Sequence, residues 1–122
     1  MARFTPAPHH CSAPIHFVNG GIIATLIDCH CICTAMAAAY FAEGRPIGSE
    51  PHRYFATGSL QIGYRRPTPM DTVLELSAVV HERQDERYRL TCQLSVQGKL
   101  CAVGDVLAVP VSEAWMGISP KP

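Results

Sequence analysis

The sequence predicts an α+β fold: one long buried helix followed by a meander of antiparallel strands that wraps around it. Two observations carry this. Residues 21 to 42 put Ala, Leu, Met and Ile on nearly every helical face, the pattern of a helix covered on all sides. From Tyr54 onward the periodicity changes to alternation, broken by short turn sequences, the pattern of a half-buried sheet.

The elements follow in order. Residues 1 to 14 hold three Pro, two His and no period, and read as a flexible N-terminal arm. Ile15 to Val18 read as a short strand. Asn19 is a good N-cap ahead of Gly20 and Gly21, and residues 21 to 42 form the helix. Glu43-Gly44-Arg45-Pro46 ends it: Gly44 suits a left-handed cap and Pro46 cannot continue. Residues 45 to 53, with two Pro and a Gly, are a loop. Tyr54 to Arg65, Thr72 to Arg83, Arg87 to Gln97 and Leu100 to Val111 then read as four strands. In the third, Tyr88, Leu90, Cys92, Leu94 and Val96 share one face. Gln84-Asp85-Glu86 and Gln97-Gly98-Lys99 look like hairpin turns. Residues 112 to 122 are expected to be an irregular tail. The organisation is therefore an arm (1–14), one domain (15–111) and a tail (112–122).

The 122 residues suffice for one domain. With 48% hydrophobic and 16% charged residues, the chain is rich in apolar surface for so small a body. A second copy covering the remaining apolar face is the expected remedy. Ten basic residues balance ten acidic ones and form no long run, which speaks against nucleic-acid binding. Eight of the ten are Arg, and guanidinium suits a phosphorylated small molecule. Of the six Cys, Cys29, Cys31 and Cys33 fall in the apolar run and Cys92 and Cys101 in strands, without a signal-peptide pattern, so free core thiols in a reducing cytosol are expected. Consecutive positions of Cys29-His30-Cys31-Ile32-Cys33 point to different helical faces, which argues against a metal site. Asp28 and His30 within the apolar run argue against a membrane span.

Asp28 is the only acid between Ile22 and Phe41. A carboxylate in apolar surroundings is paired, neutralised or functional. Read alone, it is also what a structural acid tied to a Thr or backbone donor looks like. The Gly-Gly pair about two turns upstream offers bare backbone N–H groups, and donors near an acid are raw material for acyl transfer.

Asn19-Gly20-Gly21 followed by Ala24-Thr25-Leu26-Ile27-Asp28 resembles the His-Gly-Gly…Ala-Thr-Leu-Leu-Asp pattern of hotdog-fold acyl-CoA thioesterases of the phenylacetate-pathway and 4-hydroxybenzoyl-CoA branch. Tyr64-Arg65-Arg66-Pro67-Thr68-Pro69, then Asp71, is similar to the family's strand end and turn, and the resemblance spans Phe17 to Val111. It implies a hotdog fold and homodimers joined edge to edge, often paired into tetramers, with active sites at the dimer interface. It gives Asp28 the catalytic carboxylate role, as nucleophile or general base, and Gly20 the oxyanion N–H. Thr57 falls where some members carry a Ser that orients water or thioester. Three departures stand out. Asn19 replaces a common His and cannot take up a proton; Ile32 sits where one branch has Ser; and little chain precedes the signature for the usual first strand.

The expected reaction is hydrolysis of an acyl-CoA to free acid and CoA without a cofactor, in the cytoplasm. Asn19 and Gly21 flank the oxyanion donor, and Arg65 and Arg66 are candidates for the CoA phosphates. The alternative is a hotdog domain that binds or senses acyl-CoA without turning it over. A hydratase lacks its acid–histidine motif here, and a purely structural dimer leaves the Gly-Gly…Asp arrangement unexplained.

Overall fold

Helix α1 (Gly20–Ala42) starts where Asn19 caps it and stops at Gly44, whose φ of 65° is the left-handed conformation that a glycine adopts without strain. Ile23, Ile27, Cys31, Ala35 and Ala39 form a buried stripe along it, each four residues from the next. The computed structural model describes residues 1–112 together with 114, 115 and 117, so most of the expected tail lies outside the described residues.

Five antiparallel strands make one sheet. They are β1 (Ala2–Phe4), β2 (Tyr54–Tyr64), β3 (Leu74–Gln84), β4 (Arg87–Val96) and β5 (Lys99–Val111), in the order β1-β3-β4-β5-β2. The five apolar side chains of β4 predicted to share a face are all buried. Both predicted hairpin turns are two-residue loops with positive φ, at Asp85–Glu86 and Gln97–Gly98, the geometry that matches strand twist. The helix lies across the sheet and touches β2, β3, β4 and β5. Its approach to β5 is tight, since a side chain at Gly104 would overlap Ile27.

Three features differ from the sequence reading. The segment read as a flexible arm carries β1, which pairs with β3 through Ala2↔Leu76 and Phe4↔Leu74. This strand extends the sheet as its outer strand beside β3, so the short segment before the helix supplies a first strand. Ile15 to Val18 is not a strand, since Phe17 and Val18 make only isolated bridges to Pro69 and Cys11. Nor is the helix covered all round. Ile22 and Leu26 are half-buried, Cys29 and Cys33 face outward, and Phe41 is 87% exposed. A single sheet covers one side of a cylinder, so helical propensity and apolar content ran ahead of the surface available in one chain. By length and composition α1 would also suffice to cross a membrane.

Candidate functional site

The first turn of α1 is organised around Asn19. Its Oδ1 accepts the Gly21 N–H at 2.8 Å, and its carbonyl accepts the N–H groups of Ile22 and Ile23. The Ile23 bond is the first rung of the helix, and the Asn19 N–H donates to the His10 carbonyl at 2.8 Å, so three of the four N–H groups that a helix start leaves over, those of Asn19, Gly21 and Ile22, are satisfied. The Gly20 N–H has no acceptor among the described residues. The predicted oxyanion donor is thus the free one. Gly21, also predicted to touch substrate, has its N–H engaged in the cap. Asn19, grouped by sequence with the catalytic residues, acts here through its N-cap bond.

Gly20 opens onto a groove of about 420 Å³ whose walls include Phe17, Tyr64, Arg65, Arg66 and Thr68. Arg65 and Arg66 are exposed, while their backbone N–H groups both bond the Cys101 carbonyl, at 2.7 and 3.2 Å. The two guanidinium stems therefore leave from an anchored strand end beside the helix N-terminus. In the groove wall the Thr68 hydroxyl is buried and unpartnered. The Tyr64 hydroxyl donates to the Gly20 carbonyl at 2.6 Å.

Asp28 lies two turns further along. It is half-buried in the protomer rather than enclosed, because it sits beside the buried stripe and not on it. Its Oδ1 accepts the Thr57 hydroxyl at 2.6 Å. A bulge in β2 aims that hydroxyl. Thr57 pairs with Ala108 and Ser59 with Leu107, leaving Gly58 as the extra residue, and such an insertion bends a strand and redirects its side chains. A Cβ on Gly58 would stand 2.6 Å from Val109 Cγ2, so only glycine fits unless the neighbour moves. Two residues on, His30 has its Nε2 buried and unpartnered. Burial, with a smaller push from the amino terminus, holds its imidazole below the ordinary pKa.

The structure thus makes two groups of the predicted residues. Gly20, Arg65 and Arg66 meet at the groove, with Asn19 and Gly21 bonded to each other on either side of Gly20, while Asp28 and Thr57 meet on the flank of the helix. Eight residues of helix separate Gly20 from Asp28, about 12 Å along the axis. Sequence reasoning missed the roles of Tyr64 and Gly58. An isolated Gly within an alternating strand is a bulge signal; nothing in the sequence marks the bond from Tyr64 to a backbone carbonyl.

The six cysteines are free. Cys31, Cys92 and Cys101 are buried as expected, whereas Cys29 and Cys33 are exposed and Cys11 is half-buried. A hydrogen bond with Cys92, then burial, pushes the Cys31 thiol up and keeps it protonated. Among the described residues no three His, Cys, Asp or Glu converge as metal ligands.

No protein-family model matches the chain, and no curated protein does. Solved structures do. A thioesterase superfamily protein from Shewanella loihica is 38% identical, with a TM-score of 0.71 over 91% of this chain and 82% of that one. A Bacillus halodurans protein solved with CoA is 24% identical, with a TM-score of 0.70 over 89% of this chain and 65% of that one. A phenylacetic acid degradation-related protein from Ralstonia eutropha is 20% identical, with a TM-score of 0.70 over 89% and 73%; at these lower identities the likeness is one of fold. With the 38% match over most of both chains, and one long helix on an antiparallel sheet, the chain belongs to the thioesterase superfamily and has its hotdog fold.

Proposed function

We propose that this protein hydrolyses an acyl-CoA thioester to a free acid and CoA. The observation that carries the reading is the pairing of an unengaged Gly20 N–H at a helix N-terminus with a half-exposed carboxylate, Asp28, one oxygen of which Thr57 holds. The substrate carbonyl oxygen accepts the Gly20 N–H, whose effect the helix dipole reinforces. The free oxygen of Asp28 then takes a proton from water, which attacks the carbonyl carbon, or attacks that carbon itself to form an acyl-enzyme that water opens. In both routes the C–S bond breaks and CoA leaves as the thiol. Arg65 and Arg66 meet the phosphates of CoA beside the groove.

The separation of about 12 Å between the two groups on one helix requires Gly20 of one protomer to act with Asp28 of its partner. Two features support such a homodimer, alone or as a dimer of dimers. Strand β2 is an outer strand of the sheet, and the outward side of α1 is apolar. The free cysteines fit a reducing cytoplasm.

Hydrolysis of aromatic and aliphatic acyl-CoAs, followed by loss of thioester absorption, tests the proposal in wild type beside Asp28→Asn. Turnover is expected in the wild type and a fall of about 10²–10³ or more in the variant, with folding intact. A wild type that binds CoA esters without turning them over would make this an acyl-CoA-binding domain instead.

A further inference from the structure

We propose that Tyr64 is a positioning residue for the Gly20 N–H, an inference that rests on the thioesterase reading. Tyr64 ends β2, and its hydroxyl donates to the Gly20 carbonyl at 2.6 Å. That carbonyl belongs to the planar peptide unit joining Gly20 to Gly21. The N–H of the same unit donates to Asn19 Oδ1 at 2.8 Å. One peptide plane is therefore held at both ends, by side chains from two different elements.

Backbone satisfaction does not require the tyrosine. In an α-helix the carbonyl of residue 20 already accepts the N–H of residue 24, so the tyrosine adds a second bond to that oxygen. Nor does the ring fill the core, since Tyr64 is 54% exposed. The need for it arises from two adjacent glycines, which have more backbone freedom than any other pair. Gly20 also carries the one donor of the first turn that has no acceptor among the described residues. Such a donor stabilises a developing oxyanion only if its direction is set before the reaction. The Gly20 N–H lies in the preceding peptide plane, whose Asn19 carbonyl is held by the Ile22 and Ile23 N–H groups; fixing the plane on the far side of the Gly20 Cα as well keeps the glycine from rotating between the two. The tyrosine ring also walls the groove beside the donor, 3.4 Å from where a Cβ on Gly20 would stand.

Tyr64→Phe keeps the ring and removes the second bond. Losing an oxyanion donor costs about 10²–10³ in rate; a donor kept but loosened costs less. The expected result on the best acyl-CoA of the panel is a kcat about tenfold lower, with KM within about twofold. The Gly20 amide resonance should shift while those from residues 35 to 42 stay in place. An unchanged kcat with an unmoved Gly20 resonance, while Asp28→Asn is inactive, overturns the role of Tyr64 and leaves the thioesterase reading standing. A raised KM with kcat intact overturns it too, since the tyrosine is then only a groove contact. A wild type that hydrolyses no thioester overturns both.

Discussion

The two ends of helix α1 are built on opposite plans. At the N-terminal end a backbone donor is left free, Tyr64 and Thr57 reach over from β2 with hydroxyl bonds, and both of these residues are exposed. At the C-terminal end the contacts close upon themselves. Tyr40 is 1% exposed, its hydroxyl accepts the Arg53 N–H at 2.8 Å, and the Arg45 guanidinium lies 5.0 Å from its ring centroid. Glu43 accepts from both Arg53 and Arg45. One end has bonding capacity for something the chain does not supply; the other uses its capacity to fasten the loop before β2. Removing a hydroxyl at the first end should cost activity and spare stability, and removing one at the second should do the reverse.

Gly58→Ala should break the first half of this contrast most strongly. The new methyl group meets Val109 Cγ2 and, at 3.3 Å, the Leu107 carbonyl, so the bulge must shift and carry Thr57 away from Asp28. Overpacking of this kind costs about 1–3 kcal/mol, and a displacement of about 1 Å at a reacting group can cost about 10² in rate. A kcat lower by about 10- to 100-fold is expected on the acyl-CoA panel. Val109→Ala in the same chain should restore part of it by making room. Thr57→Val, which removes the hydroxyl without moving the strand, should reproduce the rate loss with little change in melting temperature. If Thr57→Val keeps full activity, the bond to Asp28 serves the fold alone.

The sequence made the C-terminal half of the architecture more legible than the site. Alternation along β4 and the paired turn residues fixed strands to within a residue or two, because a half-buried sheet forces period two on its side chains. Asn19, Gly20 and Asp28 stood out through capping chemistry and an acid among apolar neighbours. What stayed hidden depends on long-range packing. That β1 forms from residues 2–4 is decided by an open edge of β3, and no local period announces it. The partial exposure of Asp28 follows from how much of the helix one sheet can cover. The clamp from Tyr64 joins residues 44 positions apart, and side-chain bonds to backbone carbonyls leave no compositional trace.

Tyr40→Phe sharpens the second half of the contrast. It removes the acceptor of the Arg53 N–H and keeps the buried ring, so a loss of about 1 kcal/mol in unfolding free energy is expected from denaturant melts. Hydrolysis should be unchanged, since Tyr40 lies twelve residues, or about 18 Å of helix, from Asp28. A rate loss larger than the stability loss would show that the two ends are coupled.

Glu43 gives the smallest effect and the one with a pH signature. The hydrogen bond from Arg53, helped by that from Arg45, lowers its carboxyl from 4.5 to about 2. A carboxyl with its pKa depressed by folding stabilises fully above its unfolded value and loses that contribution as pH falls toward the folded value. The melting-temperature gap between wild type and Glu43→Gln should therefore be constant from pH 7 to about 5 and shrink progressively below 4.5. The gap itself should be small, because the group faces solvent and its charges are screened. Adding salt at pH 7 should narrow it further. A gap that ignores pH would mean that the loop is held by the neutral bonds, from Arg53 N–H to Tyr40 and within Pro46–Ser49, and that the ion pairs only decorate an end already closed.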